Sequence, residues 1–193
     1  MINLLISLCG KENYCRTNVE YTMQTSRMEQ APFQFHLKRL SAQTLEDVCQ
    51  LYRAYQEVFP EMKIVNTAAI CGMYPDPFWL LVYNSNSSLV AFLTFEFTDK
   101  DVLFFYNLGV LPGYRRQGIF QTMIKYLQNE IAPKMHLEAV SVSCLVRNQE
   151  GHLHAMYEKQ GLRKSECQQL NGQPVKDGYS LYRGRWTLPT PPL

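Results

Sequence analysis

The stretch GVLPGYRRQGIFQTMIKYL, residues 109–127, sets Arg115, Arg116, Gln117 and Gly118 between an apolar, strand-like run and an amphipathic helix. A helix amino terminus carries partial positive charge and disfavours cations. Two arginines at that point therefore call for a negatively charged group. Up to four main-chain N–H groups stand free in a first helical turn and bind phosphate well. Gly118 would let such a group approach the backbone closely, and the two guanidiniums would add charge-assisted bonds roughly twice as strong as neutral ones. The plainer alternative is a pair of solvated loop charges. The spacing is neither G-x-x-x-x-G-K-[ST] nor G-x-G-x-x-G.

Other residues with chemical potential read more blandly. Tyr157 falls in phase with Leu153 and Met156, as a core tyrosine would, and Glu96 reads as a carboxylate at a strand end. His152 and His154 are two apart on an expected helix and point in different directions, a poor metal pair. Six cysteines are scattered without a C-x-x-C pair or zinc-ligand spacing, which fits buried reduced thiols. No metal site is expected.

The elements that must position these residues follow from periodicity. FQFHLKRL (33–40) alternates as a half-buried strand does. Thr44 stands as N-cap before a helical stripe of Leu45, Val48, Tyr52, Tyr55 and Phe59, which Pro60 ends. A short helix is expected around TAAICGM (67–73). FWLLVYN (78–84), SLVAFLTFEF (88–97) and VLFFYNLGV (102–110) are aromatic and β-branched runs joined by turn residues, an antiparallel meander. Phe120, Met123, Ile124, Leu127 and Ile131 form a second helical stripe, and LEAVSVSCLV (137–146) another strand. A helix is expected over 148–160, with Asn148 as possible N-cap and Gly161 at C′. LRKSE and GYSLYRGRW read as a closing hairpin. The sum is an α+β fold: a mixed, mostly antiparallel central sheet with helices on both faces.

The segment V-L-P-G-Y-R-R-Q-G-I-F resembles the acetyl-CoA-binding motif of the GCN5-related N-acetyltransferases (GNAT), [RQ]-x-x-G-x-[GA] after V-x-P, with Arg115, Gln117 and Gly118 on matching positions. Arg147-Asn148 followed by AMYEKQGL (155–162) is similar to that family's N…A…YEKxGF segment, and the order of elements from residue 33 to 186 agrees. The resemblance implies a GNAT-like fold and direct transfer of acetyl from acetyl-CoA to a primary amine through a tetrahedral intermediate, without metal. It implies that the amides of Arg115, Arg116, Gln117, Gly118, Ile119 and Phe120 hold the pyrophosphate. Leu108, Gly109 and Val110 would line the pantetheine arm, Val110 N–H or a neighbour would stabilise the oxyanion, and the strand around Cys144–Val146 would splay away to leave a slot. Asn148 matches a cofactor-contacting asparagine, and Tyr157 the tyrosine that protonates the departing thiolate. A phenol of pKa about 10 suits a thiolate of pKa about 8.5 or higher. An alkylamine of pKa about 10.4 is neutral in only about one molecule in a few thousand at pH 7, so the reaction needs a proton acceptor. Glu96 is the candidate base, with Tyr106 positioning a water.

Two departures stand out: Phe120 occupies the position of the motif's last Gly or Ala, and Asn148 lies two residues further from Tyr157 than is common. Phe120 is in phase with the core stripe, which would leave its N–H free. The acceptor would lie between 58–65 and 167–178. These segments favour no one amine over a peptide, a lysine or an aminosugar. A CoA-binding module without turnover is the alternative, and an interaction protein with an unrelated ligand a more distant one.

With 193 residues, 46% hydrophobic and 12% aromatic, the chain can build one full core. Residues 1–32 read as an extension of uncertain order, 33–186 as the domain and 187–193 as a proline-rich tail. A net charge of +2 gives no broad basic face for nucleic acid. The opening MINLLISLCGKENYC lacks the basic flank and cleavage site of a signal peptide, and no run is long enough to span a bilayer. The expectation is a cytoplasmic protein that engages neither nucleic acid nor membrane.

Overall fold

A computed structural model describes residues 33–39, 44–60, 70, 77–99, 102–133, 139–170 and 173–187. The helix expected at 67–73 lies outside these residues apart from the fully buried Ile70. The 1–32 extension and the tail beyond Thr187 also lie outside, as does most of the acceptor segment 58–65.

The chain runs β1 (Phe33–Arg39), α1 (Leu45–Val58), β2 (Phe78–Asn84), β3 (Leu89–Asp99), β4 (Val102–Val110), α2 (Ile119–Tyr126), β5 (Ala139–Arg147), α3 (Gly151–Lys159), β6 (Arg163–Lys164), β7 (Gln169–Leu170), β8 (Gln173–Pro174) and β9 (Tyr179–Thr187). Seven strands form one sheet in the order β1-β2-β3-β4-β5-β9-β6, and β7 pairs with β8 apart from it. Every neighbouring pair in the large sheet is antiparallel except β4 with β5. The expected meander is β2-β3-β4. The expected closing hairpin is β6 with β9, only two residue pairs long. The small β7-β8 hairpin inside its connection had no periodic signal to announce it.

The sheet separates two cores. On one face α1 sets Leu51, Ala54 and Tyr55 against Trp79, Leu81, Tyr83 and Phe92 of β2 and β3. The helical stripe is rotated from the expected one: Leu45 is 76% exposed and Tyr52 only half-buried, while Asp47 and Leu51 turn inward. Asp47 explains the rotation. Thr44 caps the helix through a capping box with Asp47, whose carboxylate also accepts from Lys38 Nζ at 2.8 Å and Tyr83 OH at 2.7 Å. A buried carboxylate held by this many donors fixes the helix about its axis.

On the other face α2 and α3 cover the larger core. Phe120, Met123, Ile124, Leu127 and Ile131 are all buried, as the stripe required. The helix loosens into a π turn over Leu127–Ile131. Tyr157 and Leu162 complete this core from the α3 side.

Candidate active site

β4 and β5 pair only from Val102/Ser141 to Phe105/Cys144, although β4 runs on to Val110 and β5 to Arg147. A bulge sits where they part. Thr94 pairs with Asn107 and Phe95 with Phe105, so Tyr106 is the extra residue on β4. A bulge bends and twists its strand, here immediately after Phe105, the last β4 residue paired with β5. The result is the slot the sequence led us to expect.

Leu111 N–H donates to Val90 O across β3 at 2.9 Å. Main-chain groups alternate along a strand, so Gly109 also faces β3, while Leu108 and Val110 turn theirs toward the slot. Gly109, expected beside the cofactor, also has a role in the fold. A Cβ there would stand 2.5 Å from the tip of the Phe92 ring, which stacks on Tyr55 at 4.5 Å. Gly109 is a packing glycine that admits this ring.

Beyond the slot the chain makes a 3-10 turn, Pro112–Tyr114, before α2 begins at Ile119. Arg116 has φ 65° and Gly118 φ 76°. A left-handed residue costs a side-chain-bearing amino acid about 1–2 kcal/mol; Gly118 avoids that cost and Arg116 bears it. Alternation of handedness turns successive N–H groups toward one point. Among the described residues, no protein acceptor bonds the main-chain N–H groups of residues 116–121; the bonded ones are Arg115, to Pro112 O, and Thr122, to Gly118 O. Nothing lies within 4 Å of where a Gly118 Cβ would stand. The loop is braced by side chains instead. Gln117 Nε2 donates to Gly113 O at 3.1 Å, Arg115 Nε to Val110 O at 3.1 Å, and Asn84 Nδ2 to Tyr114 OH at 2.9 Å. The last brace joins residues 30 apart, and no sequence pattern could have found it. Arg115 and Arg116 are exposed. A cradle of free amides flanked by two guanidiniums fits a diphosphate.

Asn148 sits differently. Its N–H donates to Gly178 O at 2.9 Å, and its side-chain oxygen accepts from Ser180 Oγ at 2.6 Å. It does not cap α3, which starts at Gly151 after Glu150. The three-residue turn after β5 delays the helix beyond the expected start, and Asn148 fastens that turn to β9. His154 clamps the same end of β5, its Nδ1 2.7 Å from Tyr182 OH and its Nε2 2.9 Å from Arg147 O.

Tyr157 is buried, with its ring edge-on to Phe120 at 5.8 Å. Phe120 thus supplies a wall to the tyrosine, where the motif usually has no side chain. Burial first, then the charges of the Cys144 sulfur and the Glu150 carboxylate, push the phenol above its ordinary range. Cys144, the last β5 residue paired with β4, is likewise pushed up by burial. No hydrogen bond ties the Tyr157 hydroxyl to a described residue. Glu96 stands on the opposite face of the sheet, with its carboxylate accepting from Tyr106 OH. The candidate base and the tyrosine expected to position its water are thus in direct contact at the bulge, and Tyr157 lies on the far side of the slot.

The same architecture recurs in solved structures. The chain is similar to the ribosomal-protein-S18-alanine N-acetyltransferase from Escherichia coli at 15% identity, over 83% of this chain and 99% of that one, with a TM-score of 0.58. It is similar to the paia N-acetyltransferase from Thermoplasma acidophilum in complex with coenzyme A at 13% identity, over 79% and 99%, with a TM-score of 0.57. An acetyltransferase of the GNAT family from Staphylococcus aureus gives 11% identity, 79% and 99%, and 0.60. At these identities the likeness is one of fold. No curated protein sequence matches the chain. Residues 45–162, more than half of the chain, match the model of the acetyltransferase (GNAT) family, and the chain belongs to that family.

Proposed function

We propose that this protein transfers an acetyl group from acetyl-CoA to a primary amine. The observation that carries this reading is the run of unbonded amides at residues 116–121 beside a slot open between β4 and β5. The amides, with Arg115 and Arg116, would hold the pyrophosphate. The outward main-chain groups of Leu108 and Val110 would align the pantetheine arm, and Val110 N–H would meet the carbonyl oxygen as it gains charge. Acetyl-CoA supplies an activated thioester.

Glu96 would take the proton from the incoming ammonium, directly or through a water held by Tyr106. The amine nitrogen then bonds the carbonyl carbon to give the tetrahedral intermediate, its second proton passes to the water held by Tyr106, and collapse of the intermediate breaks the carbon–sulfur bond. Tyr157 would donate a hydrogen bond to the departing sulfur. The burial of Tyr157 refines its role. A phenol held above its ordinary range gives up its proton reluctantly, so it serves best as a hydrogen-bond donor whose proton moves only as the sulfur gains charge.

A thiol-release assay with acetyl-CoA over a mixed library of amines, with products read by mass, tests this. Acetylated product at a catalytic rate is expected. Tight CoA binding without product from any amine would instead mark a CoA-binding module.

A further inference from the structure

The apolar cluster beneath α1 rests on β2 and β3, and beyond it the same face of the sheet turns basic. Register puts Glu96 opposite Phe104, Phe104 opposite Ser143, Ser143 opposite Arg183, and Arg183 opposite Arg163. Residues paired across strands share a face, so these five form one row across five strands, with Phe104 and Ser143 buried in its middle. Tyr182, the neighbour of Arg183 on β9, is buried in the opposite core, which fixes the arginines on the Glu96 side. Arg185 follows two residues along β9, opposite Ser141. Arg163, Arg183 and Arg185 are all exposed.

Like charges directly opposite one another on a sheet cost stability. Among the described residues neither Arg163 nor Arg183 has a carboxylate at ion-pair distance, and Arg183 bonds only the Gln169 carbonyl, at 2.9 Å. Charge on an edge strand guards against aggregation and accounts for Arg163. It does not account for Arg183, because β9 is an interior strand between β5 and β6.

We infer that the exposed arginine end of this row is a docking surface for an acidic polypeptide segment, the acceptor itself, which runs extended from Glu96 toward β6 above the covered Phe104 and Ser143. The inference rests on the transfer reading above. Strands are about 4.8 Å apart, so Arg183 lies about 14 Å from Glu96 and Arg163 about 19 Å. An extended chain covers about 3.3 Å per residue. An amino terminus at Glu96 therefore brings roughly the fifth residue over Arg183 and the seventh over Arg163. A nucleic-acid strand fits worse, because its phosphates would continue over the Glu96 carboxylate.

The test uses two fluorescein-labelled octapeptides with free amino termini, one with aspartates at its fifth to seventh positions and one with alanines there. Fluorescence anisotropy with the full chain should show the aspartate peptide bound about fivefold to tenfold more tightly, as two exposed ion pairs would give, with the difference shrinking in high salt. Arg163→Ser/Arg183→Ser should erase the difference, leave the binding of acetyl-CoA unchanged and not lower the melting temperature, since it relieves a like-charge pair. Arg183→Glu should reverse the preference toward a lysine-bearing peptide. Equal affinity for the two peptides, no binding of either, or tighter binding of a short oligouridylate that depends on the same arginines would overturn the proposal. Acetylation of the two peptides is read separately. If no amine of any kind is acetylated, the transfer reading fails, while anisotropy still decides the surface.

Discussion

The two strand-to-helix turns that flank the slot have the same topology and different hydrogen bonding. After β4 the backbone twists through left-handed Arg116 and Gly118, leaves six consecutive N–H groups without a protein acceptor, and relies on side chains for support. After β5 the turn closes on itself: Glu150 N–H bonds Arg147 O, Asn148 N–H bonds Gly178 O, and the Asn148 side chain is taken by Ser180. An unmade main-chain bond costs stability unless water or a ligand supplies it. After β5 the N–H groups of Gln149, Gly151 and His152 also lack an acceptor among the described residues, but bonded amides interrupt them; an unbroken run of six free donors beside two arginines is what sets the first turn apart as the binding loop.

The largest effect should come from the residue that both turns frame. Tyr157→Phe removes one hydroxyl, and kcat is expected to fall about 10²-fold with KM for acetyl-CoA unchanged. Steady-state kinetics with any accepted amine would measure this, and a normal kcat would take Tyr157 out of the chemistry. Because burial raises the phenol, the wild-type rate should show no loss assignable to its ionisation near pH 10.

The contrast between the turns is sharpened by one substitution in each. Gly118→Val forces a branched side chain into φ 76° and reorients the amides. The strain of about 1–2 kcal/mol corresponds to acetyl-CoA binding weaker by about tenfold, measurable by calorimetry. Asn148→Ala removes the Ser180 bond from the closed turn. Its affinity for acetyl-CoA should stay within about twofold, while a loss of about 1 kcal/mol lowers the melting temperature by about 2–4 °C. If Asn148→Ala weakens acetyl-CoA as Gly118→Val does, the distinction between the turns is wrong.

The sequence was most informative where the signal was periodic or local. The three-strand meander, the buried face of α2 and the Thr44 cap all stand where apolar spacing and cap chemistry put them. It misled where tertiary contacts decide. Asn148 has the right residue type for a cap, yet a strand 32 residues away claims its side chain. Gly109 sits beside a binding motif, yet it is glycine because Phe92 leans over it. The row from Glu96 to Arg163 could not be read at all, since cross-strand register brings together residues from five separate segments.

The turn into α1 supplies the opposite extreme from the open one, and its test is a matter of stability alone. Burial by itself would raise the Asp47 carboxyl, but donors from Lys38, Tyr83 and Thr44 outweigh it and hold the group at about 2, below its ordinary 3.8. Between those values the unfolded chain binds the proton and the fold does not. The stabilisation is therefore complete above about pH 4 and drains away as pH falls through 2. Asp47→Asn should leave acetyl-CoA affinity unchanged, lower the melting temperature at pH 7 by several degrees, and flatten its fall between about pH 4 and pH 2. A variant that melts with the wild-type acid limb would mean that the carboxylate is no better held in the fold than in the unfolded chain, and that something other than its charge sets the rotation of α1.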